Sequence, residues 1–182
     1  MINKLFKPLS ILVAIALFAT ACGAQIVQAA EPDPATAGYQ AILGKSVSEQ
    51  PLADFIADNC TPSGSMQYCQ SAGLALWSDR NQIVRLVSVY LNDAEGFAAY
   101  KGELPLGLES TDTMADVEQK LRSPIEIHAP QAGWDSGLPD ESYSRDLTYY
   151  WAIYRRFGVT VVYNTPAAND KDATIHAIHI SK

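Results

Sequence analysis

Gly73-Leu74-Ala75-Leu76-Trp77-Ser78-Asp79, a polar turn at Arg80-Asn81, and Val84-Arg85-Leu86-Val87-Ser88-Val89 form a pattern that the chain states twice. The second statement is Gly158-Val159-Thr160-Val161-Val162-Tyr163-Asn164, a longer loop containing Pro166, and Ile175-His176-Ala177-Ile178-His179-Ile180. Each is a β-rich run, a polar connection and a second β-rich run, which predicts an antiparallel hairpin. Val84, Val87 and Val89 match Ile175, Ile178 and Ile180. That spacing breaks the strict period of two at the same place in both runs, which predicts a shared bulge.

The correspondence extends upstream. Residues 66–72 and 151–157 read as strands leading into Gly73 and Gly158. Before them, residues 51–57 and 114–121 place apolar side chains at helical spacing. Ser48 or Glu49 is the expected cap of the first helix, and Thr111 or Asp112 of the second. Asp116 and Glu118 fall in early turns, where the helix dipole favours anions, and Pro124 supplies the stop. Tyr39…Leu43-Gly44 and Tyr100…Leu106-Gly107 open the two units. Agreement in order over four elements points to internal duplication. The expected fold is α+β: two tandem helix-plus-antiparallel-sheet repeats, residues 39–95 and 96–182, with the helices packed on one face of the sheet.

Gly107-Leu108…Thr113-Met114…Val117…Leu121…Pro124, then Tyr150-Trp151-Ala152 and a three-strand meander, resembles the repeating unit of the β-lactamase inhibitor proteins. The SmpA/OmlA lipoprotein family of the outer-membrane barrel-assembly machinery is similar. The resemblance covers about residues 39–182 and implies a concave sheet built from two units. It transfers no catalytic residue. Tyr100-Lys101-Gly102-Glu103-Leu104-Pro105 and Gly137-Leu138-Pro139-Asp140-Glu141 also resemble a group of uncharacterised small bacterial proteins.

The amino-terminal residues address compartment. Lys4 and Lys7 precede an apolar run, Ile11-Leu12-Val13-Ala14-Ile15-Ala16-Leu17-Phe18, followed by Ala19, Thr20, Ala21 and Cys22. Basic, apolar, small, then Cys is the order of an export signal over residues 1–21, and the run is short for a membrane span. Ala19-Thr20-Ala21-Cys22 resembles the lipobox of bacterial lipoproteins, which implies lipidation of Cys22 with residues 22–38 as a flexible tether. Leu17 stands two places earlier than that family's Leu. Val27-Gln28-Ala29 is a rival signal-peptidase site that would release a soluble form. The expected location is the outer membrane facing the periplasm, or the periplasm or exterior as a soluble protein.

Residues 1–21 carry two Lys and no acid, so the remainder holds 11 basic and 20 acidic groups, a formal charge of −9. The acids are scattered. This excludes the electrostatics of nucleic-acid binding or direct docking on anionic lipid, leaving the lipid anchor as the membrane contact. It is compatible with a basic protein partner. Of the three cysteines, Cys60 and Cys69 enclose eight residues including Pro62 and Gly64, and an exported chain is expected to pair them. That loop contributes roughly 2.5–3 kcal/mol on the chain-entropy account. Cys22 is left over, as a lipidated cysteine is.

Catalytic signatures are lacking: no GxSxG, HExxH, P-loop or GxGxxG occurs, and Gly44-Lys45-Ser46 follows Tyr39 where a P-loop needs Gly. His176 and His179 lie three apart on a strand, so they are expected on opposite, solvated faces unless a bulge intervenes. Neither they, His128, nor Asp135, Asp140 and Glu141 are expected to hold a metal, and no cofactor is implied. The long segment 123–148 holds Trp134 and Tyr143, and Tyr149, Tyr150, Trp151 and Tyr154 follow on a strand. Alternation sends Tyr150 and Tyr154 to one face and Tyr149 and Trp151 to the other, one set core and one set an aromatic patch. These six aromatics are the candidate partner-binding residues. The resulting expectation is an exported, membrane-anchored, non-catalytic protein-binding module, such as an immunity or inhibitor protein against a toxin or enzyme of the envelope. An accessory lipoprotein of envelope assembly and a hydrolase with an unrecognised site are the alternatives.

Overall fold

Both quoted stretches fold as hairpins. In the computed structural model, which describes residues 38–92, 96–124, 126–128 (backbone), 149–167 and 169–182, Leu74–Ser78 (β3) pairs with Val84–Tyr90 (β4), and Val159–Tyr163 (β7) with Ile175–Ser181 (β8). The register slips between Trp77 and Ser78 in the first hairpin and between Val162 and Tyr163 in the second. Trp77 faces Leu86 while Ser78 faces Val84, so Arg85 is the extra residue. Val162 faces Ala177 while Tyr163 faces Ile175, so His176 is the extra residue. A bulge of this kind lets Val84 and Val87, three apart, both reach the core.

Met66–Cys69 (β2) precedes β3, and Tyr150–Tyr154 (β6) precedes β7. Both are shorter than the sequence suggests. Gln70–Ala72 and Arg155–Phe157 are single 3-10 turns that end at Gly73 (φ +69°) and Gly158 (φ +63°). Two edge strands complete the set, Thr61–Ser63 (β1) and Glu126–His128 (β5), neither of which has an apolar pattern to announce it. Pro62 removes one donor from the β1 edge, a common way of blunting a sheet margin. All pairings are antiparallel, giving one eight-stranded sheet in the order β1-β2-β3-β4-β8-β7-β6-β5.

Two eight-residue helices join the sheet to make the fold α+β. Leu52–Asn59 (α1) buries Leu52 and Phe55. Pro51 occupies its N-cap position without a side-chain hydrogen bond, so neither Ser48 nor Glu49 caps it, although the Glu49 carbonyl accepts from Ala53 N. Met114–Leu121 (α2) buries Met114, Val117 and Leu121. Its cap is Thr113, one residue beyond the expected pair. The Thr113 side chain accepts from Asp116 N, and Asp116 Oδ2 accepts from Thr113 N at 3.0 Å, a reciprocal capping box. Asp112 is engaged elsewhere: it takes Lys120 Nζ at 2.8 Å and Glu109 N at 2.8 Å.

The buried side chains fall into two clusters. The larger combines helix residues Leu52, Phe55, Met114, Val117 and Leu121 with Leu74, Leu76, Val87, Val89, Tyr150, Tyr154, Val161, Tyr163, Ile175 and Ile178 from the strands. Each such side chain contributes about 1.5–3 kcal/mol by leaving water. The smaller holds Met66, Ala75, Tyr90, Phe97, Trp151, Val162 and Ala177, with Tyr68, Trp77 and Tyr149 half-buried against it. Cys60 and Cys69 lie at disulfide bonding distance, tying α1 to β2 beside the β1 edge. Among the described residues, no helix is long and apolar enough to cross a membrane.

Candidate functional site

Alternation along β6 divides its aromatics between the two clusters. Tyr150 (2% exposed) and Tyr154 (3%) lie in the larger cluster beside Tyr163, and burial pushes the Tyr154 phenol up to about 12. Both are core residues, which removes them from the candidate contact surface in this conformation. Trp151 belongs to the smaller cluster and is also buried, so it is no exposed anchor either. Tyr149 is half-buried. Trp134 and Tyr143 lie outside the described residues, as does Cys22.

The two histidines overturn the expectation of opposite, solvated faces. The bulge at His176 restores both rings to the smaller cluster, and both are buried. His176 stacks on Tyr149 with centroids 4.0 Å apart and meets Tyr90 edge-on. Tyr90 in turn stacks on Phe97 at 4.0 Å. Trp151 lies over His179 at 5.0 Å. His179 Nδ1 and Ser88 Oγ share a hydrogen bond of 2.7 Å across β4 and β8. Sequence reasoning missed this array because Ser88 and His179 are 91 residues apart; the break in alternation at His176 was the available signal.

A serine beside a histidine is the pairing that activates a nucleophile, but here two properties oppose that chemistry. Burial, with His176 nearby, holds the His179 pKa down to about 3. A general base works best with a pKa near the operating pH and within reach of substrate. Ser88 and His179 are 1% and 2% exposed. The pair is therefore suited to fastening β4 to β8. Among the described residues, no group of three or more His, Cys, Asp or Glu is placed to hold a metal.

A second feature lies in the segment between β4 and α2. Ala98 N donates to Gln70 O, and Tyr100 N to Tyr90 O, which lays this segment against the first half. Gly73 permits that approach: a Cβ there would collide with Ala98 O and with Tyr100 N. A cleft of about 580 Å³ results. Buried Leu91, Leu104 and Leu108 are among its lining residues, with half-buried Tyr100 and exposed Lys101, Glu103 and Glu109. Between two of those leucines, Pro105-Leu106-Gly107 makes a tight turn in which Leu106 has φ 60°, ψ 24° and is 43% exposed.

The chain matches no protein-family model, no curated protein and no solved structure.

Proposed function

We propose that this is an exported, lipid-anchored protein that works by binding another protein, as an immunity or inhibitor protein of the bacterial envelope does. In this reading the two halves are tandem repeats with both helices on one face, as in the β-lactamase inhibitor proteins. The matching bulges at Arg85 and His176, the matching 3-10 turns before Gly73 and Gly158, and the strand order support the duplication. The observation that carries the binding role is the smaller cluster. A sheet surface away from the helix residues would otherwise be polar, yet it presents Tyr68, Trp77 and Tyr149 half-buried around a packed aromatic centre. The net charge of −7 suits a partner with a basic surface. The low basicity and burial of His179 favour a non-catalytic role over the hydrolase alternative.

The test is affinity capture from the host envelope, followed by calorimetry between the purified partner and the full chain. A single exported protein that binds directly, and binds more weakly to the Tyr68→Ala and Trp77→Ala variants, supports the reading. Recovery of a multi-protein assembly complex in fixed stoichiometry favours the accessory-lipoprotein alternative. The absence of any direct binder rejects both.

A further inference from the structure

We infer that the turn at Leu106 and the cleft beside it form a second contact site for the partner: an apolar contact on Leu106 next to a pocket for an arginine or lysine side chain. The inference rests on the partner-binding reading and adds to it a second contact, apart from the aromatic patch of Tyr68, Trp77 and Tyr149 and beside residues of the larger cluster. Leu106 combines two costs. It adopts the left-handed region, where a β-carbon is crowded, and it holds a leucyl side chain in water. Relief would be simple, because Gly107 follows it and a second glycine at 106 would adopt the same φ freely.

The surroundings hold the turn in place. Lys120 Nζ donates to Gly107 O at 3.0 Å while its charge is balanced by both Asp112 oxygens at 2.9 and 2.8 Å. Leu108 N donates to Pro105 O at 3.1 Å, and Glu109 N to Asp112. Strain fixed by its neighbours marks sites that clamp ligands. The cleft fits the same purpose. Leu91, Leu104 and Leu108 offer a buried apolar surface for an aliphatic stem, and Tyr100 offers a ring for a cation. Glu103 and Glu109 outnumber Lys101 among the charged lining residues, so the cleft mouth is net negative. An arginine or lysine flanked by leucine-like residues matches all of these groups, and an acidic segment does not.

The test is an NMR titration of the isotopically labelled full chain with acetyl-Leu-Arg-Leu-amide, and with acetyl-Leu-Glu-Leu-amide as the control. The arginine peptide should give saturable shifts at the amides of residues 99–111, and the glutamate peptide none. Glu103→Gln with Glu109→Gln should weaken binding roughly fivefold, the sum expected of two exposed ion pairs. Leu106→Gly should weaken binding while raising Tm, a combination that a merely structural leucine would not give. Equal shifts with both peptides, shifts confined to other residues, or undiminished binding by the variants would overturn the site. A captured partner that binds the variants as tightly as the parent would also overturn it, while leaving the partner-binding reading intact.

Discussion

His179 shows how one residue connects register to solution behaviour. Its ring is buried, and its pKa lies far below the ordinary value for histidine, near 6.5. The unfolded chain therefore takes up a proton below about pH 6.5 that the folded chain refuses. Stability from this residue is complete above pH 6.5 and falls with acidification toward about pH 3, by up to about 1.4 kcal/mol per pH unit. His179→Gln should flatten the curve of unfolding free energy against pH over that window, measured by urea denaturation at successive pH values. A parallel curve for the variant would mean that the imidazole titrates normally in the folded chain. The sequence revealed the anomaly, three residues where strict alternation expects two, but not that His176 and His179 would both turn inward. Facing positions on β4 and β8 decide that, and Ser88 is too distant in sequence to be read as a neighbour. The buried state of Trp151 was illegible for a related reason: alternation assigns a face and says nothing about what covers it.

Elements were legible where a periodic apolar pattern was long, and illegible where chain geometry ended them. The four strands of the two hairpins lie close to their expected positions. β2 and β6 both stop early at a 3-10 turn, because the segments reach their left-handed glycines by curling. The edge strands were hidden, since Thr61–Ser63 is fully exposed and contains proline. The cap of α2 shifted to Thr113 because only there does the side chain reach Asp116 N while Asp116 reaches back. Thr113→Ala should cost about 1 kcal/mol of unfolding free energy, and Thr113→Ser little, as measured by chemical denaturation. Equal losses for both would assign the effect to packing of the methyl group. The hairpin of β1 and β2 depends on a covalent tie: converting both Cys60 and Cys69 to serine should lower stability by roughly 2.5–3 kcal/mol, with loss of amide-exchange protection concentrated in residues 60–69. Uniform loss across the sheet would show instead that the bond supports the whole core.

The scale of the whole molecule is set by charge, compartment and strand order. Palmitate labelling of the full chain in its host should give a labelled product that Cys22→Ser abolishes. Label absent from both would leave the soluble exported form, cut near Ala29. Partner binding to a chain of this acidity should weaken as ionic strength rises, through the association rate more than the dissociation rate. The two echoed hairpin patterns were visible in sequence, but not how the two hairpins join. The join lies where Val87 faces Ile180, Ser88 faces His179 and Val89 faces Ile178, a symmetric arrangement with the hydrogen-bonded pair at its centre.

That join puts β8, the latest of the described strands in chain order, in the middle of the sheet. Until residues 175–181 exist, the inner edge of β4 has no partner, and Val87 and Val89 line a bare margin. β7 waits with an open edge of its own. An elongating chain thus holds two unfinished half-sheets with adhesive borders, and closure is timed by chain elongation. Delay at that last step leaves the borders free to pair with another chain, so the emergence of seven residues acts as the clock for safe assembly.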